Sequence, residues 1–190
     1  MKKLAMSAVF LMLLFGSAVA HNGALSLYTD IGLSSCSMNI EPFAQDTINM
    51  YYVRGTGPDL GNAVEFRLEA SIPDALILST DWNSQINMTL GDVSTGISLT
   101  ASQCLGQNES VVFIGAIGLM YAGADAGVLF AIMVKEDPTV ADPPGPGIYV
   151  TECVTGNPMV TVLGGTFVFN GSCDTGVQQT SWGAIKSLYK

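Results

Sequence analysis

Apolar and polar residues alternate along most of this chain in short runs, and Gly, Pro, Asn and Asp separate the runs. A period of two is the signature of strands with one face on a core and the other in water. Ala63–Ala70 (AVEFRLEA) is the clearest case: Val64, Phe66 and Leu68 are expected inward, Glu65, Arg67 and Glu69 outward. Ala24–Thr29 (ALSLYT) alternates in the same way, and Thr47–Val53 (TINMYYV) is rich in β-branched and aromatic residues. Further strands are expected at Gln85–Leu90, Gly96–Thr100, Ser110–Leu119, Val128–Val134, Gly147–Glu152, Met159–Leu163 and Thr166–Asn170. The last two flank Gly164-Gly165, which reads as a two-residue hairpin. About nine to ten strands without a long amphipathic helix predict an all-β, antiparallel sandwich.

Two apolar stretches depart from the alternation. Val111–Val134 is long enough to suggest a membrane helix, but Asp125 interrupts it and Gly115, Gly118, Gly123 and Gly127 weaken a helix. Two buried strands joined by a turn fit it better. At the N-terminus, Lys2 and Lys3 precede an apolar stretch from Ala8 to Phe15, followed by Ala18-Val19-Ala20. That is the layout of a secretory signal peptide cleaved after Ala20, and its apolar core is too short for a spanning helix. The expected organisation is a signal peptide at 1–20, a β-sandwich at 21–173, a polar linker at 174–181 and a C-terminal tail at 182–190.

Charge then narrows the partners. The 190 residues carry 7 basic and 16 acidic side chains, a formal −9. Removing Lys2 and Lys3 leaves 5 basic and 16 acidic side chains, hence −11 over His21–Lys190. Such a surface disfavours nucleic acid and anionic membrane. Hydrophobic residues at 48% and charged ones at 12% exclude disorder as the dominant state. Export also gives the cysteines a role. Cys36, Cys104, Cys153 and Cys173 are even in number, and none forms a CxxC pair, so two disulfides are expected instead of a zinc site. Three pairings are open; Cys153–Cys173 is the most local and is slightly favoured, because the expected hairpin lies between its members.

Little in the chain points to catalysis. The one histidine, His21, would lead the mature chain, and a copper brace needs a second. A Ser/His/Asp triad would need that same terminal residue as its base. No residue pattern marks a glycosidase carboxylate pair or a phosphate loop, so no cofactor and no catalytic residue is expected. Calcium is a minor candidate, with Asp92 (beside Ser94 and Thr95) in one loop and Glu136, Asp137 and Asp142 in another. Neither loop has the spacing of a known calcium loop. Trp82, Tyr51, Tyr52, Tyr121 and Tyr149 could stack on sugars if a strand face exposed them. Asn87-Met88-Thr89, Asn108-Glu109-Ser110 and Asn170-Gly171-Ser172 match the glycosylation acceptor pattern.

Two segments carry a resemblance. Asn62–Leu78 (NAVEFRLEASIPDALIL), a strand running into an Ile-Pro-Asp-Ala-Leu turn, resembles cohesin-like and carbohydrate-binding-module-like sandwiches. This implies a cohesin-like or jelly-roll-like architecture. Thr180–Lys190 (TSWGAIKSLYK) is similar to the TTWGxIKALYR ending of a group of exported bacterial proteins with one cysteine-containing β domain. Asp142-Pro143, Glu152-Cys153 and the segment from Asn170 to Cys173 resemble that group in order and spacing; Ser181, Ser187 and Lys190 depart from its usual Thr, Ala and Arg. The group brings no activity with it. Within the tail, Trp182, Gly183, Ile185, Leu188 and Tyr189 fit either a short helix packed on the sandwich or a sorting signal. The reading of the whole is an exported, non-enzymatic β-sandwich at the cell surface or in the extracellular matrix, binding an unknown protein or glycan. The alternative is a carbohydrate-binding module that uses Tyr and Trp faces.

Overall fold

Thirteen strands and no helix make up the described residues, 23–140 and 145–173, of the computed structural model. They are β1 (Ala24–Tyr28), β2 (Ser37–Met38), β3 (Gln45–Val53), β4 (Leu60–Ala70), β5 (Ala75–Trp82), β6 (Ile86–Asp92) and β7 (Gly96–Ala101). After these come β8 (Val111–Tyr121), β9 (Phe130–Lys135), β10 (Tyr149–Glu152), β11 (Met159–Thr161), β12 (Leu163–Gly164) and β13 (Thr166–Phe169). The all-β sandwich expected from the alternation is what forms. Sequence reading put Ala75 and Leu76 in a turn and expected no further strand before Gln85; here the turn ends at Asp74 and β5 follows. No described helix is long and apolar enough to cross a membrane, and Val111–Val134 resolves into β8 and β9. Those two strands lie in different sheets.

One sheet has the order β12-β1-β3-β8-β5. The other runs β11-β10-β4-β9-β13-β2, with β7 also paired to β4 and β6 paired to β7. Pairing is antiparallel except for β1 with β12 and β13 with β2. β4 changes partners along its length: Ala63–Phe66 pair with β7, and Arg67–Ala70 with β9. Its alternation is as expected, with Val64, Phe66 and Leu68 buried and an Arg67–Glu69 ion pair (2.8 Å) on the outer face.

The core lies between the sheets, each large side chain there contributing roughly 1.5–3 kcal/mol by leaving water. It joins Leu25 and Leu27 of β1, Ile48, Met50 and Tyr52 of β3, and Ile114, Ile117 and Leu119 of β8 to Phe66, Ile132, Phe167 and Phe169. An aromatic stack runs through one end: Tyr121 on Phe130 (5.4 Å) and Phe130 on Phe169 (4.6 Å).

Two disulfides form, but the slightly favoured pairing is not among them: Cys36 bonds Cys173, and Cys104 bonds Cys153. The expected hairpin at Gly164-Gly165 is also absent, and the two corrections have one cause. After β11 leaves β10, the chain crosses to the other sheet, where β12 pairs with β1, and then returns as β13 beside β9. The glycines serve that crossing. A Cβ on Gly164 would collide with the Val134 carbonyl, and one on Gly165 would come within 2.9 Å of Ser26 Cα. The exits of β10 and β13 thus lie at opposite ends of β4: Glu152 pairs with Leu60, while Phe169 pairs with Phe130 at the start of β9, near Ala70.

Candidate functional site

The two calcium candidates fold into local turns. Asp92 Oδ1 accepts a hydrogen bond from the Ser94 amide (2.8 Å) and a short one from its hydroxyl, which holds the carboxyl below its ordinary range. Asp137 is buried, and its Oδ1 accepts hydrogen bonds from the Thr139 amide and hydroxyl (both 2.7 Å). Glu136 stays exposed beside it, and Asp142 lies outside the described residues. Among the described residues, no three His, Cys, Asp or Glu side chains come together as a metal site would require.

The aromatic candidates do not make a stacking face. Tyr51, Tyr121 and Tyr149 are 4%, 3% and 5% exposed, and Tyr52 is fully buried. Tyr51 does point to the outer face of the first sheet, where Tyr28 (6.4 Å) and Phe113 (5.6 Å) flank its ring. Burial raises its hydroxyl pKa, and the nearby Asp30 charge adds to that. Tyr149 donates to the Gly145 carbonyl (3.0 Å), and Tyr52 donates to the Pro58 carbonyl (2.9 Å). Trp82 is half-buried edge-on to Phe66 (6.2 Å). These rings hold the sandwich together and leave no row of bare faces.

The outer face of β4 and β9 carries an open groove of about 460 Å³ lined by Arg67, Glu69, Val134, Lys135, Glu136 and Ile148. Its guanidinium is already committed, because Arg67 Nε donates to the Glu136 carbonyl (3.0 Å) while Nη2 holds Glu69. A neighbour on that face, Glu65, keeps one carboxylate oxygen buried without a hydrogen-bond partner.

What sequence reading missed is the outward display on β6. Ile86, Met88 and Leu90 alternate along the strand expected at Gln85–Leu90. Ile86 does pair with the buried Ala101, but the register then slips at Asn87, and Met88 and Leu90 pair with Thr100 and Ser98 on the outer face. Met88 is 49% and Leu90 58% exposed as a result. His21, the linker at 174–181 and the tail with Trp182, Gly183, Ile185, Leu188 and Tyr189 all lie outside the described residues.

No protein-family model matches the chain, and no curated protein matches it in sequence. Solved structures do match in shape. A cohesin module from a family 33 glycoside hydrolase of Clostridium perfringens superposes at a TM-score of 0.54 with 8% identity, over 79% of this chain and 96% of that one. A type III cohesin from a cell-surface anchoring scaffoldin of Ruminococcus flavefaciens gives 0.50 at 10% identity, over 81% and 89%. A type I cohesin–dockerin complex from Clostridium thermocellum gives 0.50 at 9% identity, over 78% and 94%. At these identities the likeness establishes a cohesin-like sandwich and nothing finer.

Proposed function

We propose that this chain is an exported, non-enzymatic β-sandwich module that docks another protein at the cell surface or in the extracellular matrix. The observation that carries the reading is the cohesin-like architecture, matched over nearly the full length of modules one of which is solved in complex with a dockerin. Two disulfides support an oxidising compartment. Buried tyrosines and a groove whose one guanidinium is already paired favour a protein partner over a glycan. In this reading residues 1–20 direct export and are removed, and the segment 182–190 is a sorting or attachment signal.

Two measurements test it. Intact mass of the protein from its host, before and after reduction, should fit cleavage after Ala20 and gain four hydrogen atoms on reduction, one for each cysteine. A missing or modified segment near 182–190 supports attachment; an intact one removes that part of the reading. The purified chain, immobilised, should retain a defined protein from the host's exported fraction and no polysaccharide. Retention of polysaccharide with no protein would overturn the docking role.

A further inference from the structure

Sheet edges carry unpaired backbone donors and acceptors, and folded proteins guard them by shortness, bulges, charge or proline. Most edges here are guarded. β12 and β2 are two residues long and β11 is three. β5, at the free edge of the first sheet, is broken by a register shift at Leu78. β6 differs. It is seven residues long and pairs only with β7; beyond its bulge, Met88–Asp92 pair without interruption, and it contains no Lys, Arg or Pro. Among the described residues it is the one long unguarded edge, and its side chains from Asn87 to Asp92 are all exposed.

The sequence of β6 also suits pairing with itself. An antiparallel pair centred on Thr89 sets Met88 opposite Leu90 of the other copy and Leu90 opposite its Met88. Asn87 then faces Gly91, and Ile86 faces Asp92. Four exposed apolar side chains would cover one another on one face, and the only charge on the strand would meet no like charge. We propose that β6 is a self-association edge, through which a second copy of this chain joins in a two-fold symmetric dimer that continues the sheet. This is independent of the docking role. The formal −11 on each mature chain opposes the approach, so dimerisation should strengthen as salt rises.

Sedimentation of the full chain over a concentration series, at low and high salt, is the test. The account predicts a monomer–dimer equilibrium tighter at high salt, and at least about tenfold weaker association for Leu90→Lys. That substitution makes the chain less negative, so if charge alone governed association it would strengthen it. Leu78→Lys, on the bulged β5 edge, should leave the equilibrium unchanged. Hydrogen exchange supplies a second readout: amides of β6 should gain protection with concentration in the unmodified chain and not in Leu90→Lys. A monomer at every concentration and salt would overturn the proposal, as would a dimer indifferent to Leu90→Lys. So would β6 protection that arises only when a different protein is added.

Discussion

The two sheets of this sandwich are built to different standards of closure. In the five-stranded sheet, β3 and β8 pair from Gln45↔Met120 to Val53↔Val111, and the outer face is partly roofed by Tyr28, Tyr51 and Phe113. Its free edges are a two-residue strand and a bulged one. In the other sheet the pairing is divided, since β4 holds β10 along one edge and β7 and then β9 along the other, and β6 hangs at the margin, exposed from Asn87 to Asp92. Both sheets expose apolar side chains, Leu76, Leu78 and Leu163 on the first and Met88, Leu90 and Met159 on the second, but the long edge that pairs without interruption past its bulge belongs to the second.

The disulfides offer the strongest way to sharpen this contrast. Cys36–Cys173 joins the residue before β2 to the loop after β13, neighbouring strands at one margin of the second sheet; Cys104–Cys153 joins loops after β7 and β10, in the same sheet. Their separations are 137 and 49 residues, so chain entropy predicts losses of about 5 and about 4 kcal/mol on replacing each pair by alanines. Chemical denaturation of the two variants checks the order. Equal losses, or a larger one from Cys104–Cys153, would break the loop-length account of the two bridges.

Ile117→Ala, on β8 of the first sheet, should cost about 3 kcal/mol by denaturant midpoint, because its side chain is fully buried. An alkaline titration probes the same sheet. Burial pushes the Tyr52 hydroxyl up to about 12, while a tyrosine in the unfolded chain ionises near 10.0. The folded state therefore holds this proton more tightly. The associated stability is complete below pH 10 and is lost as pH rises from 10 towards 12, on the order of 2 kcal/mol in all. Urea midpoints measured on either side of pH 10 test the sign.

In the second sheet, Thr151 Oγ1 accepts the Asn62 and Ala63 amides (both 2.9 Å) where β10 bulges against β4. Thr151→Val keeps the shape and strands two donors, for a loss of roughly 1–3 kcal/mol that Thr151→Ser should largely restore. Leu90→Ala should move the midpoint of the dilute monomer by less than about 0.5 kcal/mol, because the side chain is exposed. A large loss there would mean that β6 is part of the core, and the contrast between the sheets would fail.

Much of this was legible in the sequence wherever alternation maps directly onto a face. Val64, Phe66 and Leu68 point inward and their charged neighbours outward, and the even cysteine count became two bridges. Bulges were not legible. One inserted residue at Ile114, Leu78 or Asn87 reverses which face the following side chains occupy, and no residue type announces it. That is how Met88 and Leu90 face outward while Ile86, on the same strand, packs against the core. The disulfide pairing depended on whether Gly164-Gly165 turned a hairpin or crossed between sheets, a choice made by contacts with Val134 and Ser26 far away in sequence. Tyr51 read as a possible sugar platform if a strand face exposed it; only the neighbouring strands reveal that Tyr28 and Phe113 flank it.

Calorimetric titration of the purified chain with the protein it retains from its host's exported fraction tests the central claim most directly. The account predicts saturable binding at a fixed stoichiometry, undiminished by added soluble polysaccharide. Polysaccharide that competes the protein away, or a heat that never saturates, would contradict a protein-docking module.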